Sequence, residues 1–216
     1  MLTMRSLLSL SILIAVFASV SAAAQSLEKR HQIGLRFGVW NQLTDVRTEV
    51  GSGGVSTTVG GTGVLGGVAY GHWLKEHLAL QISVSGMAAR LHTEVGGSGV
   101  STETAVVAPL LFGMKYYFPR STYGSSIRPF AAAGIGAMIG NQLETQSGTV
   151  VTVVARTETA IGGELGGGVD FLLSRHFLAS LALGFNLMTD FSEPIGGSKN
   201  YSGPQVTLGV SFVFGG

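Results

Sequence analysis

The sequence predicts an all-β protein: a transmembrane eight-stranded antiparallel up-and-down β-barrel, preceded by a cleavable signal peptide. Composition is the first of three observations behind this. The chain has 216 residues, 33 of them Gly and none Cys, with 12% charged and 45% hydrophobic side chains. Its mean hydropathy is +0.41. That is about half the charge and twice the Gly of an ordinary soluble domain. Second, a membrane helix needs about 20 consecutive apolar residues, and the only such candidate run lies at the extreme N-terminus. Third, eight apolar segments follow, joined alternately by short turns and by longer Gly/Ser/Thr-rich stretches, the pattern of a membrane barrel. The absence of Cys excludes disulfide scaffolds and Cys-ligated metals, and a net charge of +1 without a basic cluster argues against nucleic acid as a partner.

The N-terminal segment reads as an export signal. Arg5 supplies the positive start, residues 7–20 form the apolar stretch, and Ala22 and Ala24 frame an A-x-A cleavage site. Residues 1–24 are thus expected to be a signal peptide and residues 25–216 the barrel domain. Cleavage removes Arg5 and brings basic and acidic side chains to 12 each.

The strands are expected at 32–45, 61–74, 78–93, 102–118, 128–143, 157–173, 177–189 and 205–214. In the first, Ile33, Leu35, Phe37 and Val39 alternate with Gly34, Arg36 and Gly38. Between the first and second lies TEVGSGGVST at 48–57, which recurs as TEVGGSGVST at 93–102, identical at eight of ten positions. Such segments read as loop tips. The third strand breaks phase: Leu80, Ile82 and Val84 set one face, Met87, Ala89 and Leu91 the other. A bulge near Gly86 would keep Arg90 and His92 inward. In the fourth, Lys115 shares a face with Gly113 opposite Phe112, Met114 and Tyr116. The fifth carries Arg128 near its start. In the sixth, Glu164 lies with Gly162, Gly166 and Gly168 opposite Ile161, Leu165 and Val169. The seventh opposes Phe177, Leu181, Leu183 and Phe185 to Ser180, Gly184 and Asn186, and the eighth opposes Val206, Leu208, Val210, Phe212 and Phe214 to Gln205, Thr207 and Ser211. This is the period-2 signature of half-apolar strands.

Alternation does not say which face meets lipid; the mid-strand charges do. Arg36, Lys115 and Glu164 all fall on the small, polar face. A basic side chain turned to lipid at the midplane costs about 2–4 kcal/mol, so this face points into the lumen. A lumenal charge cluster of Arg36, Lys115 and Glu164 is therefore expected, with Asp170 and Arg128 nearer the periplasmic end. Its expected role is to fill and stiffen the interior, since eight-stranded barrels are just wide enough for side chains to fill. Trp73, Tyr116, Tyr117, Phe118, Phe130, Phe171 and Phe177 flank the short turns and are expected to form an interfacial girdle.

Thr207, Gly209, Phe212 and Phe214 follow the pattern polar, any, Gly, two any, aromatic, any, aromatic. With Gly113 to Phe118 and Arg128 to Gly136, they make the chain resemble the small eight-stranded outer-membrane barrels of Gram-negative bacteria, the OmpA-like transmembrane domain and the OmpX/Ail-like proteins. The resemblance spans residues 25–216. It implies location in the outer membrane, contact with membrane lipid and lipopolysaccharide, and recognition of the C-terminal strand by the barrel-assembly machinery. Gly215 and Gly216 follow the last aromatic, whereas in the family that aromatic usually ends the chain. No peptidoglycan-binding domain follows, so a wall-anchoring role is not expected.

Other motifs carry less. Gly38-Val-Trp40 is the G-x-W of lipocalins, but an apolar lipocalin interior does not accommodate Arg36 and Glu164. Gly134-Ile-Gly136 lacks the helix and acidic residue of a dinucleotide loop. The histidines have no metal-ligand spacing, and Asp170, Ser174 and His176 surround one solvated turn with little preorganisation for catalysis. The expectation is a non-enzymatic barrel, without cofactor or metal, whose role is structural or interactive. A narrow pore for small solutes or hydrophobic compounds is the alternative, and a lipid-modifying enzyme ranks below both. Outer loops around 46–60, 94–102, 144–156 and 190–203 are the expected place for an extracellular ligand. Near their bases Glu49, Glu94, Glu103, Glu144 and Glu158 accompany Arg47, Arg90 and Arg156; these are expected to be solvated strand ends, since exposed ion pairs contribute little, with contact to lipopolysaccharide phosphates, directly or through divalent cations, as the alternative.

Overall fold

The computed structural model describes residues 27–43, 62–96, 99–119, 126–147 and 151–215, with backbone alone at 89–96, 99–103, 144–147 and 151–152. The proposed signal peptide, with Ala22 and Ala24, and the 46–60 loop lie outside the described residues.

Eight strands close into one antiparallel barrel in sequence order: β1 (His31–Asn41), β2 (Thr62–Lys75), β3 (Leu78–Gly96), β4 (Gly99–Tyr117), β5 (Ile127–Ser147), β6 (Val151–Leu172), β7 (Phe177–Met188) and β8 (Gly203–Phe214). The ladder closes where β1 meets β8, from His31↔Phe214 to Trp40↔Gln205. Both ends of the described chain therefore lie at one rim, here the terminal rim. Opposite is the hairpin rim.

Alternation sorts the side chains as the periodicity predicts. Leu35, Phe37, Phe112, Ile135, Leu165, Leu183 and Leu208 stand exposed on the outer wall, while Gln32, Ser83, Gln205 and Thr207 are buried within. The third strand differs from expectation. Met87 faces inward beside Leu65 and Val107, so the inward phase runs unbroken through Ser83, Ser85 and Met87, and no bulge occurs at Gly86. The register shift falls between Ala88 and Arg90, after which Arg90 stands opposite Ala105 and His92 opposite Glu103.

Strand length is unequal. β1, β2, β7 and β8 have 11, 14, 12 and 12 residues, close to the 9–11 that a tilted membrane strand needs. β3, β4, β5 and β6 have 19, 19, 21 and 22. The surplus lies at the hairpin rim, where pairing with β2 stops at Leu65↔Met87 and pairing with β7 at Gly162↔Met188. Most of the expected 94–102 and 144–156 loops is thus strand, because their Thr and Val residues continue the ladders beyond the barrel wall.

The lumen is sealed twice. At the terminal rim Leu27, Trp73, Tyr117, Phe130, Leu172, Leu178 and Val213 form a buried floor. At the hairpin rim the β7–β8 connection folds inward, burying Phe191, Ile195 and Tyr201 against Trp40, Met87 and Met138. Full burial of Phe191 and Ile195 stabilises this fold by about 1.5–3 kcal/mol each. Gly140 makes room for them, since a Cβ there would sit 2.9 Å from both. The segment is held by hydrogen bonds from Gln42 Nε2 to Asn200 O (2.6 Å), from Gly196 N to Gln142 Oε1 (3.0 Å) and from Tyr201 Oη to Ile195 O.

These placements correct the aromatic girdle. Tyr116, Phe118 and Phe177 are exposed on the wall, and Phe171 is half-buried on the same outer face. Trp73, Tyr117 and Phe130 are floor residues, because each shares phase with the inward glycines and alanines of its own strand.

The sidedness of the wall is testable at mid-height. Leu208→Arg should destabilise the protein folded in phospholipid vesicles by about 2–4 kcal/mol, seen as a lower guanidinium midpoint. An unchanged midpoint would mean that this face does not meet hydrocarbon.

Candidate functional site

The chemistry-bearing side chains gather between the floor and the upper plug. Arg36 on β1 and Glu164 on β6 reach into the lumen from opposite strands, with Nη1 and Oε1 3.8 Å apart and side chains 19% and 21% exposed. The separation exceeds hydrogen-bond length, so this is a loose ion pair. Nearer the floor, Lys115 Nζ lies 3.5 Å from Asp170 Oδ2. Among the described residues Asp170 is the most enclosed charge, 1% exposed. Its Oδ2 accepts from Tyr117 Oη at 2.7 Å and its Oδ1 from Ser180 Oγ at 2.5 Å. Lys115 Nζ also stands 4.1 Å from the centre of the Phe130 ring.

Arg128 lies opposite Asp170 in the β5–β6 register. Its Nη2 donates to Glu76 O at 2.7 Å, and its guanidinium carbon sits 4.9 Å from the Tyr117 ring centre. The five residues read as one cluster therefore form two tiers. Arg36–Glu164 occupies the middle of the barrel, and Lys115–Asp170, with Tyr117, Ser180 and Arg128, rests on the floor. Ser180 and Tyr117 were not assigned to the charge cluster from the sequence, although their inward phase was readable.

Around the tiers is a chamber of ≈ 60 Å³, lined by Gln32, Gln81, Ser83, Lys115, Glu164 and Thr207 and by apolar Ala69, Leu111, Phe130 and Ala132 among others. A buried water needs roughly 10–15 Å³ by this measure, so the chamber has room for a few waters. Above the Arg36–Glu164 pair the space shrinks to ≈ 10 Å³, bounded by Leu65, Met87, Pro109 and Leu111 together with Ser85, Asn186, Gln205 and Thr207. The free space is thus wider beside the lower tier and narrower above the Arg36–Glu164 pair.

Asp170 does not meet Ser174 or His176. Ser174 Oγ accepts from the His176 backbone N–H (3.2 Å), and the His176 ring stacks on Phe212 outside the wall. Among the described residues no group of three or more His, Asp and Glu is placed to hold a metal. In the C-terminal strand Thr207 is buried, and Phe212 and Phe214 stack on the outer surface with ring centres 6.1 Å apart. Gly209 stands opposite Arg36. The side chains of Glu94, Glu103, Glu144 and Arg90 lie outside the described set. Arg156 does meet an acid, Glu193, at 4.0 Å in an exposed pair.

A closed wall with an apolar exterior, a charged and filled lumen and eight meandering strands defines a small transmembrane β-barrel. The chain belongs to the outer membrane protein beta-barrel domain family, whose profile matches residues 10–214, and it resides in the outer membrane of a Gram-negative bacterium. Comparison with curated proteins finds no match. Among solved structures, Ail of Yersinia pestis, in complex with the heparin analogue sucrose octasulfate, is 11% identical over 87% of this chain and 99% of its own, with a TM-score of 0.52. The N-terminal barrel domain of Pseudomonas aeruginosa OprF is 18% identical over 87% and 98%, with a TM-score of 0.42. OprG of Pseudomonas aeruginosa is 13% identical over 88% and 97%, with a TM-score of 0.47.

The tiers should differ in weight. Removing one partner of a buried ion pair costs about 3–5 kcal/mol, so Asp170→Ala should lower stability by that order, whereas Lys115→Met with Asp170→Asn should recover most of the loss. Denaturant unfolding from vesicles measures both. Equal stability of Asp170→Ala and wild type would remove Asp170 from its structural role.

Proposed function

We propose that this protein is a non-enzymatic outer-membrane scaffold that presents a protruding sheet for surface interaction, with a lumen filled for rigidity rather than open for transport. The observation that carries the reading is the overhang of β3 to β6. Among the described residues, Val151 to Ala160 of β6 pair only with β5, leaving one edge without a ladder partner. Val153 and Val154 are neighbours on opposite faces, yet they are 58% and 51% exposed, which supports a sheet with both faces in water.

Natural proteins usually blunt such an edge with Pro, bulges or clustered charge. Here the run Val-Thr-Val-Val-Ala-Arg-Thr-Glu-Thr-Ala has no Pro or Gly and two charges. An extended polypeptide adding as a further strand is the occupant such an edge fits, with backbone hydrogen bonds giving affinity and alternate Val and Thr side chains giving selectivity. The described basic side chains nearby already have partners, Arg156 with Glu193 and Lys199 with the Ser192 carbonyl. The reading therefore does not extend to a sulfated ligand such as the one Ail was solved with. Lipopolysaccharide around the wall and the assembly machinery acting on Thr207, Gly209, Phe212 and Phe214 belong to the same proposal, supported by the exposed apolar band and the outward aromatics.

Two experiments bear on it. In planar bilayers the purified protein should show no steady conductance, and neither should Glu164→Gln; steady current through the wild type would favour the narrow-pore reading. Bacteria displaying the protein should adhere to protein-coated surfaces more than bacteria displaying a variant with the β5–β6 hairpin trimmed to the barrel rim. Equal adhesion, with both proteins folded, would remove the overhang from the function.

A further inference from the structure

We propose that Arg30, Gly215 and the β6–β7 turn form a clasp that locks the closing β1–β8 seam of the barrel. Arg30 precedes β1 and is buried although charged. Its Nε donates to the Gly215 carbonyl at 2.9 Å and its Nη1 to the Arg175 carbonyl at 3.0 Å. One guanidinium thus ties together the start of the first strand, the residue just past the last strand, and the turn between β6 and β7. These acceptors lie 185 and 145 positions away in sequence.

The backbone around Arg30 is built to present it. Leu27 is fully buried in the floor, and Arg30 N donates to Leu27 O at 3.1 Å. Trp73 N donates to Arg30 O at 2.9 Å, and Lys29 N donates to Trp73 O at 2.9 Å. Lys29 has a φ of 62°, a left-handed conformation uncommon for a residue with a Cβ, and it turns the chain from the floor to the wall. On the other side of the seam Gly215 has a φ of 78°, and a Cβ there would lie 3.0 Å from His31 Cδ2. Val213 N donates to His176 O at 2.7 Å, fastening the end of β8 to the same turn that Arg30 grips.

The last ladder pair of the seam is His31↔Phe214, so the clasp sits one step beyond it. Its acceptors come within reach of Arg30 only after β8 has docked on β1. Its contribution therefore appears after closure and acts against reopening. The geometry also gives a role to the glycine that follows the C-terminal aromatic. Lysine does not substitute for this arginine, because a single ammonium lacks the planar fork that addresses two carbonyls.

The test uses the protein folded into phospholipid vesicles, with unfolding followed by heat-modifiable gel mobility and amide exchange. Arg30→Ala and Arg30→Lys should each fold, yet unfold faster by about tenfold or more, since hydrogen bonds from a charged donor are present in the native state and already broken in the unfolding transition state. Gly215→Val should give a similar acceleration, and the Arg30→Ala/Gly215→Val double variant should be no faster than either single one. Amide exchange should rise in β1, β8 and residues 173–176 and stay unchanged in β3 to β5. Wild-type unfolding rates in Arg30→Ala, fully additive effects in the double variant, or a uniform rise in exchange would each overturn the clasp.

Discussion

Closure of the backbone ladder is the constraint on which everything else in this molecule rests. In hydrocarbon every amide N–H and C=O needs a partner, and a sheet meets that need only by returning upon itself. Pairing of β1 with β8 is therefore a condition of being in the membrane. Eight strands make a small circle, so half of every strand must point into a lumen with little room. The alternation of Gly, Ala and Ser with bulky apolar residues follows from that crowding, as does the scarcity of charge, because each inward charge has to find a partner within reach.

The lumen shows how that second condition is met at two costs. Asp170 lies where water is excluded, and it is surrounded by Lys115, Tyr117 and Ser180. Arg36 and Glu164 border the chamber and are held at 3.8 Å without direct hydrogen bonding. The tight set is anchored to the aromatic floor, and the loose set stands where the barrel leaves free space. Apolar levels above and below turn the polar level into an enclosed layer. On the proposed reading such an interior stiffens the wall.

The strand count and the facing of each strand were legible because alternation repeated over eight segments leaves little freedom, and Arg36, Lys115 and Glu164 agreed on one face. The rest failed for identifiable reasons. Trp73, Tyr117 and Phe130 were assigned by residue type to an interface, though their phase relative to Gly71, Lys115 and Ala132 already placed them inward. Met87 was read as lipid-facing because the whole interior was expected to be small and polar. The β7–β8 plug makes the upper interior apolar, and nothing in a Gly- and Ser-rich connection announced that Phe191, Ile195 and Tyr201 would fold back into the barrel. The overhanging hairpins were hidden by composition, since Gly, Ser and Thr suggest loops until the register shows Thr93↔Thr102 and Thr145↔Val153 still paired. Arg30 carried no motif, and its partners are backbone carbonyls that no side-chain pattern reveals.

Above the membrane the governing constraint changes. In water an unpaired amide is solvated at little cost, so the sheet no longer has to close, and β3 to β6 continue where β1, β2, β7 and β8 stop. On the proposed reading the same strands serve two regimes along their length, obligatorily paired in lipid and free at the edge outside it. An edge in water is a liability unless something limits or uses it. In this chain the liability is rigidly mounted: the β5–β6 ladder runs without a register break from Ile127↔Phe171 near the floor to Ser147↔Val151 at the tip. A partner strand added at the tip would meet a template already held in position by the closed barrel, and would order only itself. On the proposed reading, that economy of ordering is what connects a filled lumen to an exposed sheet that recognises a partner.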